Sequence, residues 1–356
     1  MSNSPFYGLL VLTTGRTSQP TILPELHINL WERGASLLSG TAFLDIGLML
    51  DVDESAQTFE FVLPWKVKSG DIEDLSQRIL EPGAIPAVFN EMWVASSSNG
   101  SAGYVTTNND VFTVVHTNSD LQVYEHNPGT PDSQISIRLA VPAIHTKSIN
   151  ACRPAKRMYV RFRVKNVPHS FYRVSINPKD RVFLSSWQLT EIIDFRMNVR
   201  RGVPLGFDKR LNADFADFAK AHLFLMKSRD QDIVFEDKWF RSCRSLEDEE
   251  FWASYSLTRK PNWIAEKWGK YHVKKSLGYQ WTRVSQLDSS GNTVPVREFA
   301  TLSRFKKIRF GLISFIIVAA VVGAGGNAVW DAMKVRYDLE ARLGNLLKTD
   351  AQQEDK

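Results

Sequence analysis

Between positions 310 and 330 the chain carries no charged residue. Phe310, Leu312, Ile313, Phe315, Ile316, Ile317 and Val318 lead into small residues that end at Val329 and Trp330, and only Ser314 and Asn327 are clearly polar. As a helix this stretch rises roughly 30 Å, the thickness of a bilayer's hydrocarbon core. A core helix of that length ordinarily keeps a polar face toward solvent. Arg304, Lys306, Lys307 and Arg309 precede the stretch and an aromatic closes it, as membrane interfaces favour. The sequence therefore predicts one transmembrane helix over 310–330, with these four basic residues as juxtamembrane lipid contacts.

Charge sets the expected orientation. Arg297, Arg304, Lys306, Lys307 and Arg309 lie before the stretch, against Lys334, Arg336 and Arg342 after it. That excess places the large N-terminal region in the cytoplasm of a single-pass protein. The apolar patch from Phe6 to Leu12 lacks the preceding basic residue of a secretory signal. Cys152 and Cys243 are the only cysteines, a usage that suits a reducing compartment, although one bridge between them stays open. In that compartment the triplet Asn99-Gly100-Ser101 has no role as a glycosylation acceptor.

The net charge of +5 over 356 residues is mild. Much of the excess falls between 241 and 309, where an anionic lipid surface is a simpler partner than nucleic acid. Trp239, Trp252, Trp263, Trp268 and Trp281 share that region, as core aromatics or as a segment along the headgroups.

Ahead of the stretch the pattern is β-rich. Phe59, Phe61, Leu63 and Trp65 alternate with Glu60, Val62 and Pro64, a half-buried strand over 58–66. Asp71, Glu73 and Asp74 open a short helix that Pro82-Gly83 ends. From 85 to 141, short runs are broken by Asn108-Asn109, Asn118-Ser119-Asp120 and 127–132, the mark of an antiparallel sheet with tight turns. A seam is expected over 142–156. Beyond it, Tyr159, Arg161, Arg163 and Lys165 alternate with Val160, Phe162 and Val164, and 171–176 is expected to pair back on that strand. The run 187–199 reads as strand or helix, and 212–226 as a helix capped by Asn212 with Phe215, Phe218, His222, Leu223 and Met226 on one face. A second helix is expected over 245–257 and a last strand or hairpin over 272–285.

The expected fold class is mainly β (α+β): an antiparallel β-sandwich or barrel-like soluble region with a few helices, plus one C-terminal transmembrane helix. The expected domains are 1–150, 151–293, a basic neck over 294–309, the transmembrane helix over 310–330, and a short amphipathic helix and polar tail over 331–356.

No specific catalytic motif appears. The seven histidines are scattered, with no HExxH, CxxC, Walker loop, G-x-G-x-x-G or G-x-S-x-G. No catalytic residue, cofactor or metal is expected. Cys152 with His145 or His169, and Asp230, Asp232, Glu236 and Lys238, are the nearest approaches to a hydrolytic set. The expected binding patch is basic: Arg161, Arg163, Lys165 and Arg173 on the strand face, with Arg196, Arg200 and Arg201. In the apolar stretch Ala319, Gly323 and Asn327 recur every four residues, a small-residue face through which membrane helices self-associate. The sequence thus points to a membrane-anchored binding or scaffold protein with an unidentified partner. Its alternatives are an effector whose helices oligomerise and perturb the bilayer, and a membrane-tethered hydrolase.

Overall fold

The computed structural model describes residues 8–14, 22–32, 42–51, 58–81, 84–89, 94–99, 102–106, 111–117, 120–128, 133–149, 156–176, 188–199, 215–246, 249–256, 273–308 and 312–353, and strands are the main regular structure among them. The first ten are β1 (Leu10–Thr14), β2 (Glu25–Trp31), β3 (Ala42–Asp51), β4 (Thr58–Leu63), β5 (Ile72–Asp74), β6 (Val94–Asn99), β7 (Ala102–Thr106), β8 (Val111–Val115), β9 (Leu121–His126) and β10 (Gln134–Ala140). Then follow β11 (Arg157–Val167), β12 (Arg173–Ile176), β13 (Gln188–Met197), β14 (Lys220–Ser228), β15 (Gln231–Phe235), β16 (Phe240–Ser245), β17 (Ser276–Val284), β18 (Gln286–Leu287), β19 (Thr293–Val294) and β20 (Phe299–Ile308). The helices are α1 (Ser76–Ile79), α2 (Ala84–Phe89), α3 (Val141–Ile149), α4 (Glu249–Ser256) and α5 (Leu312–Gln353).

A ten-stranded sheet runs in the order β16-β17-β14-β2-β3-β11-β8-β7-β6, with β5 added on β11. It is mixed: β2 with β14 and β8 with β11 are parallel, and the other described pairings are antiparallel. β3 reads Ala-Phe-Leu-Asp-Ile-Gly-Leu-Met-Leu-Asp and is buried along nearly its whole length, because both of its faces are covered. On one face Leu44, Ile46 and Leu48 join Leu26, Ile28, Val160, Phe162, Leu223 and Leu225. These pack against Phe59, Phe61, Leu63, Ile135, Ile137 and Leu139 of a four-stranded sheet, β1-β4-β10-β9. Each such side chain contributes roughly 1.5–3 kcal/mol over exposure. On the other face Trp31, Phe43, Met49 and Phe112 are covered by Leu75, Ile79, Val88, Phe251, Trp252 and Tyr255 from the short helices and their flanks. A third sheet, β12-β13-β20-β15, adds Ile193, Phe195, Phe299 and Phe305 to the first core.

Contacts divide the chain into two units, Met1–Pro178 with Leu189–Lys307, and Lys179–Gln188 with Ile308–Lys356. The large sheet takes β3 and β8 from before the expected seam and β11, β14 and β17 from after it. Part of that seam is helix α3.

Several local expectations are corrected. From Lys220 the expected helix over 212–226 is strand β14. Its apolar spacing fits a period of 3.6, yet Ala221, Leu223 and Leu225 face one core, with Met226 in the other. Pairing with both β2 and β17 overrides the helical pattern. β12 pairs with β13 and not with β11. The expected helix after Ser69 is a 3-10 turn, then β5, then α1. β4 is buried on both faces instead of one: Phe59, Phe61 and Leu63 join the main core, and Val62 packs with Leu10, Leu12 and Phe215 on the other side. From Phe299 the expected neck is β20, with Phe299, Thr301, Ser303 and Phe305 buried and Ala300, Leu302, Arg304 and Lys306 exposed.

In the smaller unit α5 is continuous from Leu312 to Gln353, so the expected boundary at 330/331 is not a break. Its residues from 320 to 341 are exposed, including Val321, Val322, Val329, Trp330 and Met333. Among the described residues no helix is long and apolar enough to cross a membrane. Positions 310 and 311, and the side chains of 312–319, lie outside them.

Candidate functional site

The helix-covered face of the large sheet is polar along one row. Register aligns His222 with His27, His27 with Gly47, and Gly47 with Arg161, across β14, β2, β3 and β11. Gly47 is required there. A Cβ on it would lie 2.3 Å from the Tyr159 hydroxyl, which accepts from Arg161 Nη1 at 2.9 Å. Gly47→Ala is expected to cost about 1–3 kcal/mol by overpacking, read as a lowered thermal midpoint.

At one end of the row stand Glu25, His27 and His222. Each offers one ligand atom, and these three atoms lie within 4.8 Å of one another, the one such group among the described residues. Residues two apart on a strand share a face, which pairs Glu25 with His27; the parallel partner strand supplies His222. His27 Nε2 is 4.0 Å from Glu25 Oε2, and the two imidazoles meet edge to face at 5.1 Å. Arg157 Nη2 donates to Glu25 Oε1 at 3.0 Å, with Lys220 Nζ 3.6 Å from the same oxygen. Thr282 Oγ1 is 2.9 Å from His222 Nδ1.

Burial pushes His27 below the usual histidine range and His222 down to about 3, the latter helped by His27. Burial opposes the Glu25 carboxylate too, but the His27 hydrogen bond, Lys220 and Arg157 outweigh it and bring its pKa down to about 2. Unfolded, both imidazoles take up protons near pH 6.5, while folded they resist. The unfolded chain then binds more protons, so stability falls as pH drops below about 6.5, and Glu25 adds a further loss between about 4.5 and 2. In chelator-containing buffer the loss between pH 7 and pH 5 is expected to be on the order of 2 kcal/mol. His222→Gln should reduce that slope in urea titrations.

Further along the row is a buried charge cluster. Arg163 grips Asp45 with two bonds, Nε to Oδ1 at 2.7 Å and Nη2 to Oδ2 at 3.2 Å. The Tyr255 hydroxyl donates to Asp45 Oδ2 at 2.9 Å and accepts from Arg161 Nε at 2.7 Å. Asn29, its amide turned to satisfy both ends, accepts from Arg161 Nη2 at 2.8 Å. Burial acts against both guanidinium charges, but Tyr159, Tyr255 and Asp45 hold Arg161, and chiefly Asp45 holds Arg163, above the usual arginine value.

This overturns the basic face expected on β11. Arg161 and Arg163 are 0% exposed and reach no surface. Lys165 pairs with Glu73 at 2.9 Å, Arg173 with Glu32 at 3.0 Å and Glu191 at 3.3 Å, and Arg196 with Asp194. Arg200 and Arg201 lie outside the described residues; of the other five, two are buried and three pair with carboxylates. Arg304 and Lys306 are on the exposed face of β20; the Lys307 side chain and Arg309 lie outside. Gly323 and Asn327 are exposed on α5, and the Ala319 side chain lies outside.

The hydrolytic sets do not assemble among the described residues. Cys152 lies outside them, and Cys243 is an exposed free thiol on β16. Asp232 faces Lys306 across β15 and β20, and Lys238 Nζ sits 4.7 Å from the Trp239 ring centre. Ser136, His126 and Glu60 do meet, but Ser136 Oγ and Glu60 Oε1 both contact the same ring nitrogen, His126 Nε2, at 2.8 Å. A serine relay needs the two on opposite nitrogens.

The four-stranded sheet leaves β9 with β10 on one side and, among the described residues, no strand on the other. Across one face of this sheet, from β1 through β4 and β10 to β9, runs a cleft of about 380 Å³ lined by Thr14, Thr58, Asp120, Gln122, Tyr124, Arg138 and Ala140. The Arg138 guanidinium lies 4.0 Å above the Tyr124 ring and reaches Glu60 Oε1 at 3.3 Å.

No protein-family model and no curated protein matches the chain. Among solved structures it is similar to the Fcho1 Mu homology domain of Danio rerio with bound Eps15 peptide, at 9% identity, over 85% of this chain and 80% of that one. The TM-score is 0.16, too low for an argument about fold or function.

Proposed function

We propose that this chain is a membrane-tethered binding module whose β body takes a short extended segment of a partner at the open edge of β9. The observation that carries the reading is the polar cleft that crosses the face of this sheet and reaches β9, a strand with no described neighbour on its other side. An edge strand offers unpaired backbone donors and acceptors to an added strand, and flanking pockets select its side chains. Gln122 and Tyr124 alternate along β9 toward the cleft, with Arg138 next to them on β10.

The tether is the charge-free stretch 310–330, and the basic excess before it supports a cytoplasmic body. A random-peptide display on the detergent-solubilised full chain tests the binding reading. Enriched peptides should lose binding to Val123→Pro, which removes a backbone donor from β9, and to Arg138→Glu. Recovery of the same peptides by both variants, or no enrichment, rejects it.

Self-association through α5 is the second reading, favoured by exposed Val321, Val322, Val329 and Trp330 around Gly323 and Asn327. Light scattering on the detergent-solubilised chain should give a defined oligomer that Gly323→Leu with Asn327→Leu dissolves. A monomer in both proteins rejects this reading.

A further inference from the structure

We propose that Glu25, His27 and His222 bind one divalent transition-metal ion, zinc or ferrous iron being the class that two imidazoles and one carboxylate suit. Two strands hold the three groups on one sheet face, so their placement is fixed by backbone pairing and not by loops. Their ligand atoms already lie within 4.8 Å of one another. A tetrahedral ion with bonds of about 2.1 Å holds its donors about 3.4 Å apart, so modest side-chain rotations close the set.

The surroundings match what such sites use. A ligating imidazole binds through an unprotonated ring nitrogen. Thr282 engages His222 Nδ1, the kind of outer bond that fixes ring orientation and tautomer, and Nε2 is then the nitrogen available to the ion. Phe89 and Tyr159 flank the His27 ring with centres 5.7 Å away, giving the apolar wall that limits solvent access. Three protein ligands leave a fourth position for water or an exchangeable group, the pattern of open rather than closed sites. Arg157 and Lys220 compete with the ion for Glu25 and moderate its affinity. That competition supplies a test in which affinity rises.

The full chain in detergent, stripped with chelator, is titrated with Co²⁺ and followed by its visible d–d bands, then with Zn²⁺ by calorimetry. One ion per chain is expected. His27→Gln and His222→Gln should each weaken binding by about 10-fold or more. Arg157→Ala should bind more tightly than the parent chain, a gain that misfolding does not produce. Absence of stoichiometric binding, or affinities that none of the three substitutions alters, overturns the assignment.

Discussion

Asp45→Ala is expected to remove about 3–5 kcal/mol of unfolding free energy, the scale for breaking a buried ion pair from one side. Asp45 is 0% exposed and is the carboxylate against which two equally buried guanidinium groups are set. Its loss strands Arg163 without its bidentate partner and leaves the Tyr255 hydroxyl without an acceptor. Tyr255 carries α4, whose carbonyl at the same residue accepts from Arg163 Nη1 at 3.0 Å, so the helix should loosen with the cluster. Replacing Asp45→Leu with Arg163→Met together should recover part of the loss, because Arg163 is no longer stranded, while Arg161 still stays buried without its carboxylate. Guanidinium titrations of the three chains read the effect. Equal stability of Asp45→Ala and the parent would show that the cluster contributes nothing.

If the 310–330 stretch is the proposed tether, Val321→Lys with Val322→Lys is expected to move the chain from the membrane fraction to the supernatant. Both positions sit near the middle of the 310–330 stretch, where each Lys costs about 2.5–3.5 kcal/mol of insertion free energy. Two such charges amount to about 5–7 kcal/mol, enough to reverse the partition of a single helix. Exposed Val335 and Leu339, farther along α5, serve as controls, and Lys there should leave the fractionation unchanged.

The β-rich character was legible because strand alternation and turn chemistry agree. Asn127, Asn166 and Asn198 adopt φ of 50°, 59° and 57°, the left-handed region in which Asn is tolerated. The strand at 157–167 was readable from its period of two. Its charged face was misread, because a period states that Arg161 and Arg163 share a side and not that Asp45 lies opposite, 118 residues from Arg163. The same limit hid the histidine group. Glu25 and His27 show the spacing of a shared strand face, but His222 arrives through a parallel pairing that no local signal encodes. β14 itself was misread because its apolar residues satisfy two periods at once, and only coverage on both faces decides between them.

The most direct test of a membrane-tethered binding body is flotation of the full chain with vesicles of neutral and anionic phospholipid, followed by an alkaline carbonate wash. The chain is expected to float and stay with the vesicles through the wash, while Val321→Lys with Val322→Lys remains in the dense phase. A parent chain that stays in the dense phase, or that the wash releases, contradicts it.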